Sequence, residues 1–199
     1  QDLEIGDICL VGGDGSKRLL AAMYVKKENR LEITLPREFQ PGEKLIVTVR
    51  ATCRPTANIL DGLYYDTTPP GAPPQMISQC QQWGFQRIMP IIDDCTAKCT
   101  WRTRLEGSSR YTHLISNGDV SRASNPDGKP APLPDDPSRM AIVYENSIPM
   151  PPYLFIVAAG TWDVLADSVT TGSGRVVSLE YLVPPGRVEH ARIPMAILK

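Results

Sequence analysis

Two glutamines flank a cysteine at Gln79-Cys80-Gln81, and Trp83-Gly84-Phe85 follows within the run SQCQQWGFQRIMP, Ser78 to Pro90. A side-chain amide carries one carbonyl acceptor and two N–H donors, so a pair can orient a polar ligand or satisfy a neighbouring strand. The residues alone leave both readings open. Cys95 and Cys99 form a C-x3-C pair. In an extended chain positions four apart lie about 13 Å from each other. That is too far for one metal ion or one disulfide unless the segment turns, and two packed thiols are the simpler expectation. The chain has two histidines, His113 and His190, and no H-E-x-x-H, so a zincin site cannot be assembled from it. There is no G-x-S-x-G elbow. The glycine-rich GGDG, Gly12 to Gly15, precedes a strand-like run and reads as a turn. Tyr144-Glu145-Asn146 falls inside a strand pattern before a proline-rich bend. These residues do not make a complete enzyme.

The elements that must position them are short and β-like. LEIGDICLV alternates apolar and polar residues up to the GGDG turn. RLLAAMYVKK and RLEITLP read as strands about a turn at Glu28-Asn29, and EKLIVTVRATCR as a long strand. FQRIMPII, CTWRTRLE, THLIS, MAIVYE, LFIVAA, WDVLADSVT and VVSLEYLV are further strand candidates, with Asn117-Gly118 and Gly172-Ser173-Gly174 as hairpin tips. Ser124 to Ser138 contains five prolines and reads as a surface loop. Only RVEHARIPMAILK, residues 187–199, suggests a helix, with Pro194 near its first turn. The pattern predicts an all-β chain, a β-sandwich with a short C-terminal extension.

Bulk properties exclude several classes. The 199 residues carry 21 Lys+Arg against 22 Asp+Glu, a net charge of −1. No global field favours nucleic acid or a membrane surface. The broken basic run Lys98 to Arg104 looks like one strand face. No apolar run approaches the roughly 20 residues that span a bilayer, and QDLEIGDICL is not a signal peptide. Five cysteines, Cys9, Cys53, Cys80, Cys95 and Cys99, are too few and odd in number for a secreted disulfide framework. They suggest reduced, buried thiols in a cytoplasmic protein.

Several stretches carry a resemblance. Ile148 to Gly186 contains Pro151-Pro152-Tyr153-Leu154-Phe155 through Gly160, then Asp163-Val164-Leu165, then Ser173-Gly174-Arg175 through Glu180. Upstream stand LDGLYYD (Leu60 to Asp66), SQCQQWGFQRIMP and HLISNGD. In this order, over residues 60–186, they resemble the N-terminal domain of M1-family zinc aminopeptidases, with the bacterial and algal aminopeptidase N branch the best fit. Residues 1–59 match only in pattern. The resemblance implies a saddle-like β-sandwich domain over residues 1–186, lacking its first strands, with residues 187–199 beginning a catalytic domain that follows. It implies that zinc and the G-x-M-E-N motif belong to that missing domain, that this fragment is non-catalytic and holds no cofactor, and that its partners are the catalytic domain and a peptide N-terminus.

In the family the residue matching Gln81 reaches into the active site and helps hold the substrate's α-ammonium. Glutamate is usual there in the aminopeptidase N branch, and Gln81 resembles the leukotriene-hydrolase branch instead. Gln79 would share its strand face and line the first side-chain pocket. A non-proline cis peptide is implied at Gln81-Gln82. Met89 is expected to line the pocket or pack in the core, and Tyr153 and Trp162 to be core or domain-interface aromatics. Cys99 takes the place of a large apolar residue and is expected buried, and Ile92-Asp93-Asp94-Cys95 lacks the family's proline. With the catalytic domain missing, the face around Gln79 to Phe85 is expected to be exposed and apolar. A second reading makes the chain a non-catalytic β-sandwich interaction module of a degenerate homologue. An H-E-x-x-H elsewhere in the full-length gene would decide for the enzyme.

Overall fold

The computed structural model describes residues 3–55, 57, 60–67 and 69–199. It is built from strands, with one short helix at its end. The sandwich core forms between two four-stranded sheets. One runs in the order β6 (Gly62–Asp66), β7 (Gln75–Gln79), β13 (Val157–Gly160), β9 (His113–Ser116). The other is organised on the 15-residue β12 (Asp136–Met150), which pairs with β8 (Cys99–Ser108), β10 (Asp119–Val120) and β11 (Ala131–Leu133). Leu114, Ala159, Met140 and Ile142 are buried together between them, with Met76, Leu105, Tyr111, Val120 and Tyr144 packed around. Alternating apolar residues on two facing sheets produce this layer because period-2 side chains point to one face.

Three smaller units complete the chain. β1 (Glu4–Val11) lies between β2 (Lys17–Leu19) and β5 (Val47–Thr52). β3 (Ala21–Val25) and β4 (Arg30–Thr34) form a hairpin whose turn holds Asn29 at φ 50, in the left-handed region that asparagine tolerates. β14 (Asp163–Thr170) and β15 (Val176–Val183) pair in unbroken register. Their tip closes through Gly174 N–H to the Thr171 carbonyl at 2.8 Å. A 3-10 turn, Val188–Ala191, then leads into α1 (Arg192–Leu198), with Pro194 in its first turn. Ala191 and Met195 are buried, and the Lys199 ammonium donates to both carboxylate oxygens of Asp167 on β14 at 2.9 and 3.0 Å.

The all-β expectation holds, and several local expectations are corrected. FQRIMPII is not a strand: Phe85–Arg87 is a 3-10 turn, held by burial of Phe85 and by a hydrogen bond from the Gln86 N–H to Asp93 Oδ2 at 3.1 Å. RLLAAMYVKK divides at the buried Leu20, whose N–H bonds the Ile8 carbonyl at 2.8 Å, so its halves pair with different partners. In EKLIVTVRATCR only Val47–Thr52 is strand, and in LFIVAA the strand starts at Val157 after a 3-10 turn, Pro152–Leu154. Asn117-Gly118 is a corner rather than a hairpin tip, since β9 and β10 belong to different sheets. The Asn117 side chain clamps it, donating to the Leu154 carbonyl at 3.1 Å and accepting from Ile156 N–H at 2.7 Å.

The proline-rich stretch from Ser124 to Ser138 is an ordered part of a sheet. Asn125, 3% exposed, accepts from Val143 N–H at 3.0 Å and donates to the carbonyls of Lys129 and Ala141 at 2.9 and 3.2 Å. One amide thus folds the loop onto β12, and β11 pairs there despite its proline. Cys95 and Cys99 are exposed, not packed, while Cys80 is buried. The segment between the exposed pair turns, with Ala97 N–H bonded to the Asp94 carbonyl at 3.1 Å. Among the described residues no helix is long and apolar enough to cross a membrane.

Candidate functional site

β7 ends at Gln79, and the chain turns at once. Gln81 therefore lies in the turn and not on the strand face that spacing assigns it. Gln79 and Gln81 are nonetheless neighbours, both exposed, with Gln79 Nε2 lying 3.4 Å from the Gln81 carbonyl oxygen it donates to. The Gln81-Gln82 peptide bond is cis, as the resemblance implies.

What holds this loop is mostly beneath it. Gly84 N–H closes the turn onto the Cys80 carbonyl at 2.8 Å. A Cβ on Gly84 would collide with the Gln79 carbonyl oxygen, the Asp61 carboxylate and the Gly62 amide, so only glycine fits. Phe85, 1% exposed, packs edge-on against Trp101 and Phe155, with ring centroids 5.3 and 4.8 Å away. Trp101 Nε1–H in turn donates to the Met150 carbonyl at 3.3 Å. Arg87 reaches back to Asp61 with Nε–Oδ2 2.6 Å. The β3–β4 turn meets the loop from outside: Tyr24 hydroxyl donates to Asn29 Oδ1 at 2.8 Å, and Asn29 Nδ2 donates to Gln86 Oε1 at 2.5 Å.

The electrostatics follow from this packing. Burial pushes the Cys80 thiol up to about 11, helped by the nearby Asp93 and Asp61 carboxylates and opposed by a hydrogen bond with Ser78. That thiol is protonated at neutral pH and is no nucleophile. Burial also raises the Asp93 carboxyl above its ordinary range, partly offset by the Gln86 N–H and reinforced by Asp61. The exposed face thus offers neutral amides, with Trp83 at 61% and Met89 at 37% exposure beside them in sequence. The stretch is divided, not uniformly exposed: Gln79, Gln81, Gln82 and Trp83 face outward, while Cys80, Gly84 and Phe85 face inward.

Sequence reasoning missed Asp61, Arg87 and Asp93, the polar braces of the loop. Its signal was the lone glycine between two aromatics, which marks a close backbone approach. Trp162 is half-buried and donates its indole N–H to Gln75 Oε1, and Gln75 donates to Asp66 Oδ2 at 3.0 Å. Its ring sits over Gly160 and 5.9 Å from His113. Burial lowers the His113 pKa, against the raising influence of Glu180. Glu145 accepts from Ser121 Oγ at 2.9 Å and pairs with Arg102 at 3.4 Å, so Tyr144-Glu145-Asn146 is strand structure. Among the described residues no three His, Cys, Asp or Glu side chains converge as metal ligands.

No protein-family model matches the chain. Aminopeptidase N of Caulobacter vibrioides is 30% identical over 182 residues, 91% of this chain and 19% of that protein. Aminopeptidase N of Escherichia coli is 30% identical over 160 residues, 79% of this chain and 17% of that protein. Leukotriene A-4 hydrolase of Xenopus laevis is 26% identical over 80% of this chain. The chain thus spans about a fifth of the length of the aminopeptidases N it matches. The crystal structure of Legionella pneumophila aminopeptidase A in complex with aspartic acid matches all of this fold with a TM-score of 0.80, at 19% identity and over 21% of that chain. By sequence the chain is thus the homologue of a portion that makes up about a fifth of an aminopeptidase N.

Proposed function

We propose that the chain is the substrate-facing N-terminal domain of an M1-family, zinc-dependent aminopeptidase, with Gln79 and Gln81 on one wall of an active site completed by another domain. Residues 1–186 are the β-sandwich domain and 187–199 the start of the next. The observation that carries this reading is a pair of outward-facing amides on a loop braced from below by Gly84, Phe85 and the Arg87–Asp61 pair.

A peptidase that removes one residue at a time must locate an N-terminal ammonium, a cation with three donors. Gln81 Oε1 is an acceptor suited to one of them. Hydrogen bonds to a charged group are worth about 1.5–3 kcal/mol, and a neutral amide gives less than a carboxylate would. Gln79 lies close enough to bound the first side-chain pocket. On this reading the zinc would be held by the domain that follows, and the fragment alone would be non-catalytic. The five unpaired cysteines support a cytoplasmic setting.

The test is steady-state hydrolysis of an aminoacyl reporter by the full-length protein. Gln81→Ala should lower kcat/KM about tenfold, mainly through KM, and Gln81→Glu should lower KM. Unchanged kinetics in both variants would sink the assignment.

A further inference from the structure

A groove of about 410 Å3 opens at the end of β1, within the size range of ligand sites. Leu10, Val11, Pro36 and Phe39 give it apolar walls, and Arg18, Arg37 and Lys44 give it positive charge. The three cations are not equivalent. Arg37 lies over the Phe39 ring at 4.0 Å and donates to both carboxylate oxygens of Glu43 at 2.9 and 3.1 Å. Glu43 also accepts from Gln40 N–H at 2.6 Å, so this pair is fixed and internally neutralised. Arg18 and Lys44 are exposed and have no ion-pair partner among the described residues. The nearby Asp14 forms no ion pair with either of them among the described residues: its carboxylate is held by the Ser16 hydroxyl and by Ser16 N–H at 2.9 Å, which lower its pKa and keep it ionised.

Sheet order fixes how these charges are arranged. Arg18 is on β2 and Lys44 just ahead of β5, and these strands flank β1 on opposite sides. Val11 N–H bonds the Ile46 carbonyl at 2.9 Å, which draws the segment after Lys44 against the end of β1. Leu10 and Val11 therefore lie on the strand between two exposed cations that have no ion-pair partner among the described residues. A purely polar anion leaves the apolar walls unused, and a basic segment is repelled at both flanks. We propose that this groove binds an extended acidic peptide segment, with aliphatic side chains at its centre and carboxylates on either side. The site is independent of the Gln81 loop.

The experiment is fluorescence anisotropy of the purified protein with a labelled, N-acetylated hexapeptide of two leucines flanked by glutamates. Acetylation removes the ammonium that the Gln81 reading requires. Saturable binding is expected, weakened at least about fivefold by R18E/K44E or R18Q/K44Q, weakened by added salt, and unchanged by Q81A. Equal binding of a lysine-for-glutamate peptide, equal binding of a serine-for-leucine peptide, or the absence of saturable binding would each overturn the proposal.

Discussion

The Cys80 thiol lies between two exposed glutamines yet is itself 3% exposed, because the chain turns sharply enough to send alternate residues to opposite sides. Its raised pKa links folding to pH. Burial favours the protonated thiol in the folded chain, so this group's contribution is complete below the ordinary pKa of 9.0 and is lost as pH climbs toward about 11. Urea unfolding near pH 8 and near pH 10.5 should show a larger loss of stability in the native sequence than in Cys80→Ala. An equal loss in both would show that the thiol is not desolvated. The same residue explains why the loop can be polar outside without being loose. The amides face outward, while the thiol, Gly84 and Phe85 fill the space beneath.

At the level of elements, Asn125 illustrates how a segment of low β propensity joins a sheet. Replacing it with alanine leaves Val143 N–H and the Ala141 carbonyl without their side-chain partner. Asn125→Ala should cost about 2–3 kcal/mol, read as a shift in the urea midpoint. A cost under about 0.5 kcal/mol, the range of surface substitutions, would contradict the anchoring role. This residue also marks where sequence reading ran out. CTWRTRLE and VVSLEYLV were legible because those strands largely alternate exposed and half-buried residues, and MAIVYE, where Ile142 and Val143 are both buried, was legible by its β-branched and aromatic composition. The first half of β12 was hidden behind Pro134 and Pro137, and its partner loop behind prolines whose backbone is organised by one distant amide. FQRIMPII has strand composition, but tertiary burial of Phe85 and the Asp93 bond win over propensity. Asn117-Gly118 has the local chemistry of a hairpin, and only the identity of the sheets it joins makes it a corner. The motif placed Gln79 and Gln81 together, while the braces Asp61 and Arg87 come from separate segments that no local spacing connects.

Across the whole molecule, exposed apolar side chains are spread over many elements, and α1 carries some of the most exposed. Ile193 and Ile197, four residues apart on α1, are 74% and 80% exposed, while Met195 between them is buried. Such a face suits a packed neighbour, in keeping with the proposed multidomain parent. The strands differ in another respect. β14 and β15 pair Asp163 with Val183 through Thr170 with Val176, across a tip of only a few residues, whereas β12 meets β8 across the intervening β9–β11 segment. Closing a short loop costs little entropy, so the β14–β15 ribbon should be present at the rate-limiting barrier, with the β8–β12 sheet completed afterwards. Val169→Ala, at the pair Val169 and Val177, should slow refolding, whereas Asn125→Ala should chiefly accelerate unfolding. The opposite assignment in stopped-flow chevrons would put the nucleus in the sandwich. The hairpin's tight tip thus sets an order of events in time: the β14–β15 ribbon takes shape before the central β8–β12 sheet closes.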